Sequence, residues 1–200
     1  MIAIKNVFFD LGNVLFAFDY NRFHQKANSG GTIAADAEQA VHMLALELEC
    51  GRLPEASFLR ELLLLYPSLE TTERTLDYWS DIFTPIESTI GCVRALRQSG
   101  HYHLGVISNT NAPHMRQLQK LSNVLDCFDS LTLSHQVGCM KPEPDIYHAA
   151  LGNANAKPNE SLFFDDRADN VAAAQSLGMH ATQVSRPEDV MTALENFSGS

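Results

Sequence analysis

Five polar residues stand at, or shortly beyond, the ends of short apolar runs. Asp10 follows Val7-Phe8-Phe9, Ser108 follows the run 103–107, Lys141 lies in a loop beyond Leu131-Thr132-Leu133, and Asp165 and Asp166 follow Leu162-Phe163-Phe164. Short apolar runs closed by turn residues read as buried strands of a parallel sheet. The carboxyl ends of such strands open on one side, where α/β sheets hold their ligands. Three carboxylates, a hydroxyl and an amine are therefore expected in one crevice. Unpaired acids in one place repel and raise one another's pKa. A hard divalent cation relieves that, and Mg²⁺ suits one or two carboxylates together with a substrate phosphate. Lys141 and such a cation make a site for an anionic, tetrahedral group. Ser108 and the backbone amides of Asn109 and Thr110 can donate to its oxygens.

The elements that must position these groups follow from the rhythm of the chain. Gly12 and Asn13 tolerate positive φ, so the chain can wrap back over Asp10. Residues 16–85 show helical spacing and no strand. Leu44, Leu46 and Leu48 interleave with acids, and 55–66 has an apolar helical face. Asn28-Ser-Gly-Gly-Thr, Gly51-Arg-Leu-Pro, Pro67 and Pro85 break this block. From 86 onward helices and strands alternate. Helices are expected at 90–100 with Gly100 as the stop, after Pro113, at 144–151, at 168–177 before Gly178, and at 187–197. Strands are expected at 103–107, 131–133, 162–164 and 181–184. Such alternation means an α/β fold, a parallel sheet with helices on both faces. Residues 1–15 and 86–200 would form that core, and 16–85 a helical insertion.

Composition narrows the partners. The 200 residues carry a net charge of −10, with a pI near 5.1. Nucleic acid and anionic membranes need clustered Lys and Arg, so neither is expected to bind. Cys50, Cys92, Cys127 and Cys139 lack CxxC spacing and read as free thiols of a reducing compartment. No leader-like start and no apolar stretch near the ~20 residues of a membrane span is apparent. The expectation is a cytoplasmic protein, monomer or homodimer. His24, His42, His114 and His148 fall on expected helices and should be half-exposed; His101 and His103 read as structural. Tyr78 and Trp79 read as packing, whereas Phe16, Phe18 and Tyr20 lie just after Asp10 and should near the crevice.

The stretches Phe-Phe-Asp10-Leu-Gly-Asn-Val, Val-Ile-Ser108-Asn-Thr-Asn, Gly-Cys-Met-Lys141-Pro-Glu-Pro-Asp and Phe-Phe-Asp165-Asp166-Arg-Ala-Asp-Asn170 resemble the four motifs of the haloacid-dehalogenase-like (HAD) hydrolase superfamily, in order. In particular they resemble its small-cap sugar-phosphatase-like group, which also reads Asp-Leu-Gly-Asn-Val and includes a bacterial α-glucose-1-phosphate phosphatase. The resemblance implies a Rossmann-like core with an inserted helical cap, and a Mg²⁺-dependent phosphatase acting on a small phosphorylated metabolite such as a sugar phosphate. Asp10 would be the nucleophile, forming an aspartyl-phosphate. Ser108 and Lys141 would serve the transferring group. Asp10, the Gly12 carbonyl and Asp166 would hold Mg²⁺, Asp165 would do so directly or through water, and Asn170 would support the loop. One departure stands out. Most phosphatases of the superfamily carry a second Asp two residues after the nucleophile as proton donor; here, as in the Asp-Leu-Gly-Asn-Val group, that position is a glycine, Gly12. A metal-independent 2-haloacid dehalogenase, or a non-catalytic binder of a phosphorylated ligand, would also tolerate Gly12.

Overall fold

A computed structural model of the chain describes residues 3–28 and 35–198. Most of the Asn28-Ser-Gly-Gly-Thr break lies outside them. Five parallel strands form the central sheet: β1 (Asn6–Phe9), β4 (His103–Ser108), β5 (Ser130–Leu133), β6 (Ser161–Asp165) and β7 (His180–Gln183), in the order β5-β4-β1-β6-β7. Every residue of β1 and β6 is buried. That explains why both read as continuous apolar runs: a parallel sheet is covered on both faces.

The side chains of β1 alternate between two cores. Val7 and Phe9 pack with Val106 and Phe164 against α5 (Glu87–Ser99), α6 (Ala112–Leu121) and α10 (Glu188–Ser198), through residues such as Ile90, Leu118 and Val190. Phe8 packs on the other face with Ile107, Phe163 and residues of α8 (Pro144–Asn153) and α9 (Ala168–Ser176). Phe8 sits beside Gly105 of β4, and a Cβ there would fall 2.5 Å from the Phe8 ring. The chain leaves β1 towards β4 on one side and β6 on the other. The carboxyl end of β1 is thus the point where strand order switches, the usual ligand crevice of an open α/β sheet.

Between β1 and α5 run α1 (Tyr20–Ala27), α2 (Ala35–Glu49), α3 (Glu55–Leu65) and α4 (Thr72–Ser80). They bury a separate apolar cluster around Phe23, Phe58, Leu62 and Trp79. Asp19 and Thr71 cap α1 and α4 by accepting from Asn21 and Arg74 amides. The expectation of no strand in 16–85 is corrected here. β2 (Phe16–Phe18) and β3 (Phe83–Pro85) pair antiparallel where the chain leaves and re-enters the sheet. Two crossing segments satisfy each other's backbone groups, and three residues are too few to show a period. Phe16 also joins the core of the sheet rather than the crevice. A four-residue helix, α7 (Ser134–Val137), follows β5.

Candidate active site

β1 delivers Asp10 to the switch point, and the Asp10 amide donates to the Phe164 carbonyl at 2.8 Å. Asp10 is 7% exposed. Its Oδ1 accepts from the Leu11 amide at 2.7 Å and meets the Lys141 Nζ at 2.8 Å. The same ammonium reaches Asp165 Oδ2 at 2.7 Å and the Ile107 carbonyl at 2.9 Å. A lysine has three protons to give, so all three are spent on protein oxygens. Burial alone would lower the Lys141 pKa, but the two carboxylates outweigh it and hold it above the usual lysine value. Burial pushes Asp10 up, to about 6, against the pull of Lys141, and the negative charge of Asp165 adds to the rise.

The loops around this pair are stapled by side chains. Asn109 donates to the Lys141 carbonyl at 3.0 Å and accepts from its amide at 2.8 Å. The Thr110 amide, expected to face a phosphoryl oxygen, instead donates to Ser134 Oγ at 2.9 Å, which donates back to the Thr110 carbonyl. Asn109 and Thr110 therefore build the loop that presents Ser108 and Lys141. Ser108, at the end of β4, is 1% exposed and lines the same pocket as Asp10.

Asp165 is fully buried, and both its oxygens are engaged. Oδ2 takes Lys141, and Oδ1 takes the Arg167 amide and Asn170 Nδ2, each at 2.9 Å. It holds Lys141 and the loop in place, and with both oxygens engaged it suits the water-mediated alternative better than direct ligation. Asp166 is more open, and its Oδ2 accepts from Asn13 Nδ2 at 2.9 Å. Asn13, at φ 54, is the turn residue that bends back to it. Oxygens of Asp10, Asp165 and Asp166 lie within 4.8 Å of one another. Beside them Asn170 Oδ1 is buried with no partner in the structure. An all-oxygen donor set with an orphaned oxygen at its edge is the chemistry a hard divalent cation takes.

The pocket over this floor has a volume of about 730 Å³ and is walled by the helical insertion, with Phe18, Tyr20, Glu49 and Trp79 among its lining. Trp79 serves both as wall and as fully buried packing, whereas Tyr78 packs away from the crevice under Lys26. Two histidines depart from expectation. His24 and His114 are buried, at 7% and 2% exposure. His114 stacks on Trp79, with ring centroids 5.0 Å apart, and its ring nitrogens meet Asn111 Nδ2 and the Trp79 carbonyl. Nothing in the sequence singles out Glu49, which closes a helix 39 residues after Asp10 in a run rich in acids. All four cysteines are free thiols.

Comparison with known proteins agrees with this geometry. The family model of haloacid dehalogenase-like hydrolases matches residues 4–178, and the chain belongs to that family. It is 31% identical over 192 residues to a D-ribitol-5-phosphate phosphatase of Bacteroides thetaiotaomicron, covering 90% of this chain and 91% of that protein. A HAD family enzyme from the same bacterium, solved in complex with magnesium and inorganic phosphate, superposes with a TM-score of 0.81 at 26% identity, over 90% of this chain and 94% of that one. A HAD-like hydrolase of Porphyromonas gingivalis superposes at 0.83 with 28% identity over 98% of both chains. The narrower likeness to an α-glucose-1-phosphate phosphatase is not what these relatives show.

Proposed function

We propose that this protein is a Mg²⁺-dependent phosphatase of small phosphorylated metabolites, sugar or sugar-alcohol phosphates, working through an aspartyl-phosphate on Asp10. The carrying observation is a buried carboxylate at the sheet's switch point, fixed through one oxygen by Lys141 and grouped with Asp166. Both protein contacts land on Asp10 Oδ1. Oδ2 is then the oxygen left to attack phosphorus. Lys141 keeps Asp10 ionised and neutralises the charge that gathers as the phosphoryl group arrives. Ser108 donates to a phosphoryl oxygen. Residues 16–85 act as the cap that closes over the substrate and keeps bulk water out. Asp10, Asp166 and the Gly12 carbonyl would hold Mg²⁺, which supplies positive charge shared with the phosphoryl oxygens. The relatives named as a ribitol-phosphate phosphatase and as a magnesium–phosphate complex support this reading.

Phosphate release from a panel of phosphate monoesters, with Mg²⁺ and with EDTA, tests it. The expected outcome is EDTA-sensitive release on sugar and polyol phosphates, falling at least ~10³-fold in Asp10→Asn, because the nucleophile itself is removed. Halide release from 2-chloropropionate without metal would select a dehalogenase instead. Release unaffected by Asp10→Asn would contradict the proposal.

A further inference from the structure

We infer that Glu49, from the helical insertion, is the catalytic acid and base that position 12 does not supply; the inference rests on the phosphatase reading above. Position 12 itself, a glycine, has no side chain to give a proton, and none enters without moving Phe18. A Cβ on Gly12 would stand 2.9 Å from Phe18 Cε1 and 3.3 Å from Cδ1, so a ring fills the space a side chain would take. The proton has to come from across the pocket.

Glu49 lines the pocket together with Asp10 and is the last residue of α2. The chain just beyond it is anchored to the sheet domain beside Lys141. Cys50 Sγ lies 2.9 Å from Met140 Sδ, next in sequence to Lys141. Gly51, at φ 69, lies so close to the His135 carbonyl that a Cβ there would fall 2.5 Å from it. The end of α2 that carries Glu49 is thereby fixed in the wall of the pocket that Asp10 also lines. The Tyr20 phenol pairs with its carboxyl from α1.

The other groups in the pocket wall are placed or occupied differently. His114 is buried with both ring nitrogens engaged, and His24 Nδ1 is engaged by Tyr66. Arg167 is paired with Asp169 and stays charged. Glu38 acts on His24 and Tyr66 and stands three helical turns before Glu49, ~16 Å along the axis. His42 is two helical turns before Glu49, ~10 Å along the axis. Burial, and then the negative charge of Asp10, push Glu49 up to about 7. A carboxyl titrating there both gives and takes a proton near neutral pH.

The two steps balance. As Asp10 Oδ2 bonds to phosphorus, the bond from phosphorus to the ester oxygen breaks and the Glu49 proton passes to that oxygen, which leaves as a neutral alcohol. Glu49, now a carboxylate, takes a proton from the water that attacks the phosphorus of the aspartyl-phosphate. The bond to Asp10 breaks, inorganic phosphate leaves, and Glu49 is again protonated.

The test compares wild type with Glu49→Gln on 4-nitrophenyl phosphate, whose leaving group needs no proton, and on ethyl phosphate, whose leaving group does. With Mg²⁺ the variant should release a burst of about one nitrophenolate per enzyme at near the wild-type rate, then turn over ~10²-fold more slowly. On ethyl phosphate it should show no burst and a turnover lower by ~10²–10⁴-fold. Glu49→Ala should recover part of its ethyl phosphate turnover on addition of formate, which a misfolded variant would not do. An equal loss of first-turnover rate on both esters, or no loss on ethyl phosphate, would overturn the assignment. Wild type that releases no phosphate from any monoester with Mg²⁺ would overturn the phosphatase reading itself, and this inference with it.

Discussion

Lys141 is the residue on which the site's electrostatics turn. Its ammonium is the cation between two buried carboxylates and gives its third proton to a strand carbonyl. Removing one partner of such a cluster leaves uncompensated buried charge, which costs far more than the cluster's net worth. Lys141→Met should therefore lower stability by about 3–5 kcal/mol in urea unfolding at pH 8, besides abolishing phosphate release. The loss should shrink towards pH 5, because Asp10, already pushed up to about 6 by burial, rises further once Lys141 is gone and takes up a proton. A variant as stable as wild type at pH 8 would mean the three groups are not held as described. Residue types announced this site well: Asp10, Ser108, Lys141 and Asp166 come together as their places at strand ends imply. What the sequence concealed was the division of labour. Nothing in Asn-Thr says that Asn109 and Thr110 spend their polar groups on Lys141 and Ser134.

At the level of elements, α4 and α6 are joined by His114, and that contact carries a pH dependence. Asn111 Nδ2 donates to Nδ1, so Nε2 bears the proton it offers to the Trp79 carbonyl, and the ring is neutral. Burial depresses its pKa to about 3. In the unfolded chain the same histidine titrates near its ordinary 6.5. A depressed folded pKa gives stability that is complete above the unfolded value and is lost as pH falls towards the folded one. Wild type should lose about 1.4 kcal/mol per pH unit between pH 6 and 4 that His114→Phe does not lose, read from urea midpoints at each pH. Equal slopes would mean that the ring is not held neutral. Elements of the sheet were readable because β1 and β6 are apolar on both faces and Gly100 and Pro144 punctuate their helices. β2 and β3 were not, since their pairing joins residues more than sixty positions apart and shows only in three dimensions. The sequence hides the burial of His114 because its partners Asn111 and Trp79 lie 32 positions apart, one of them in the insertion.

For the molecule as a whole, the architecture places a helical insertion with its own apolar cluster over a crevice set by strand order. The net charge of −10 makes an anionic substrate depend on local cations, and Lys141 is buried at the one place where such a substrate would meet the sheet. Among the described residues no helix is long and apolar enough to cross a membrane. The whole account requires that phosphorus leave its alcohol and rest on Asp10 before water takes it. A rapid acid quench during turnover with Mg²⁺, followed by mass spectrometry of the peptides, reads that event directly. One phosphoryl group on the peptide carrying Asp10, absent in Asp10→Asn, is the predicted result. Steady phosphate release with that peptide never labelled, or the label on another residue, would contradict it.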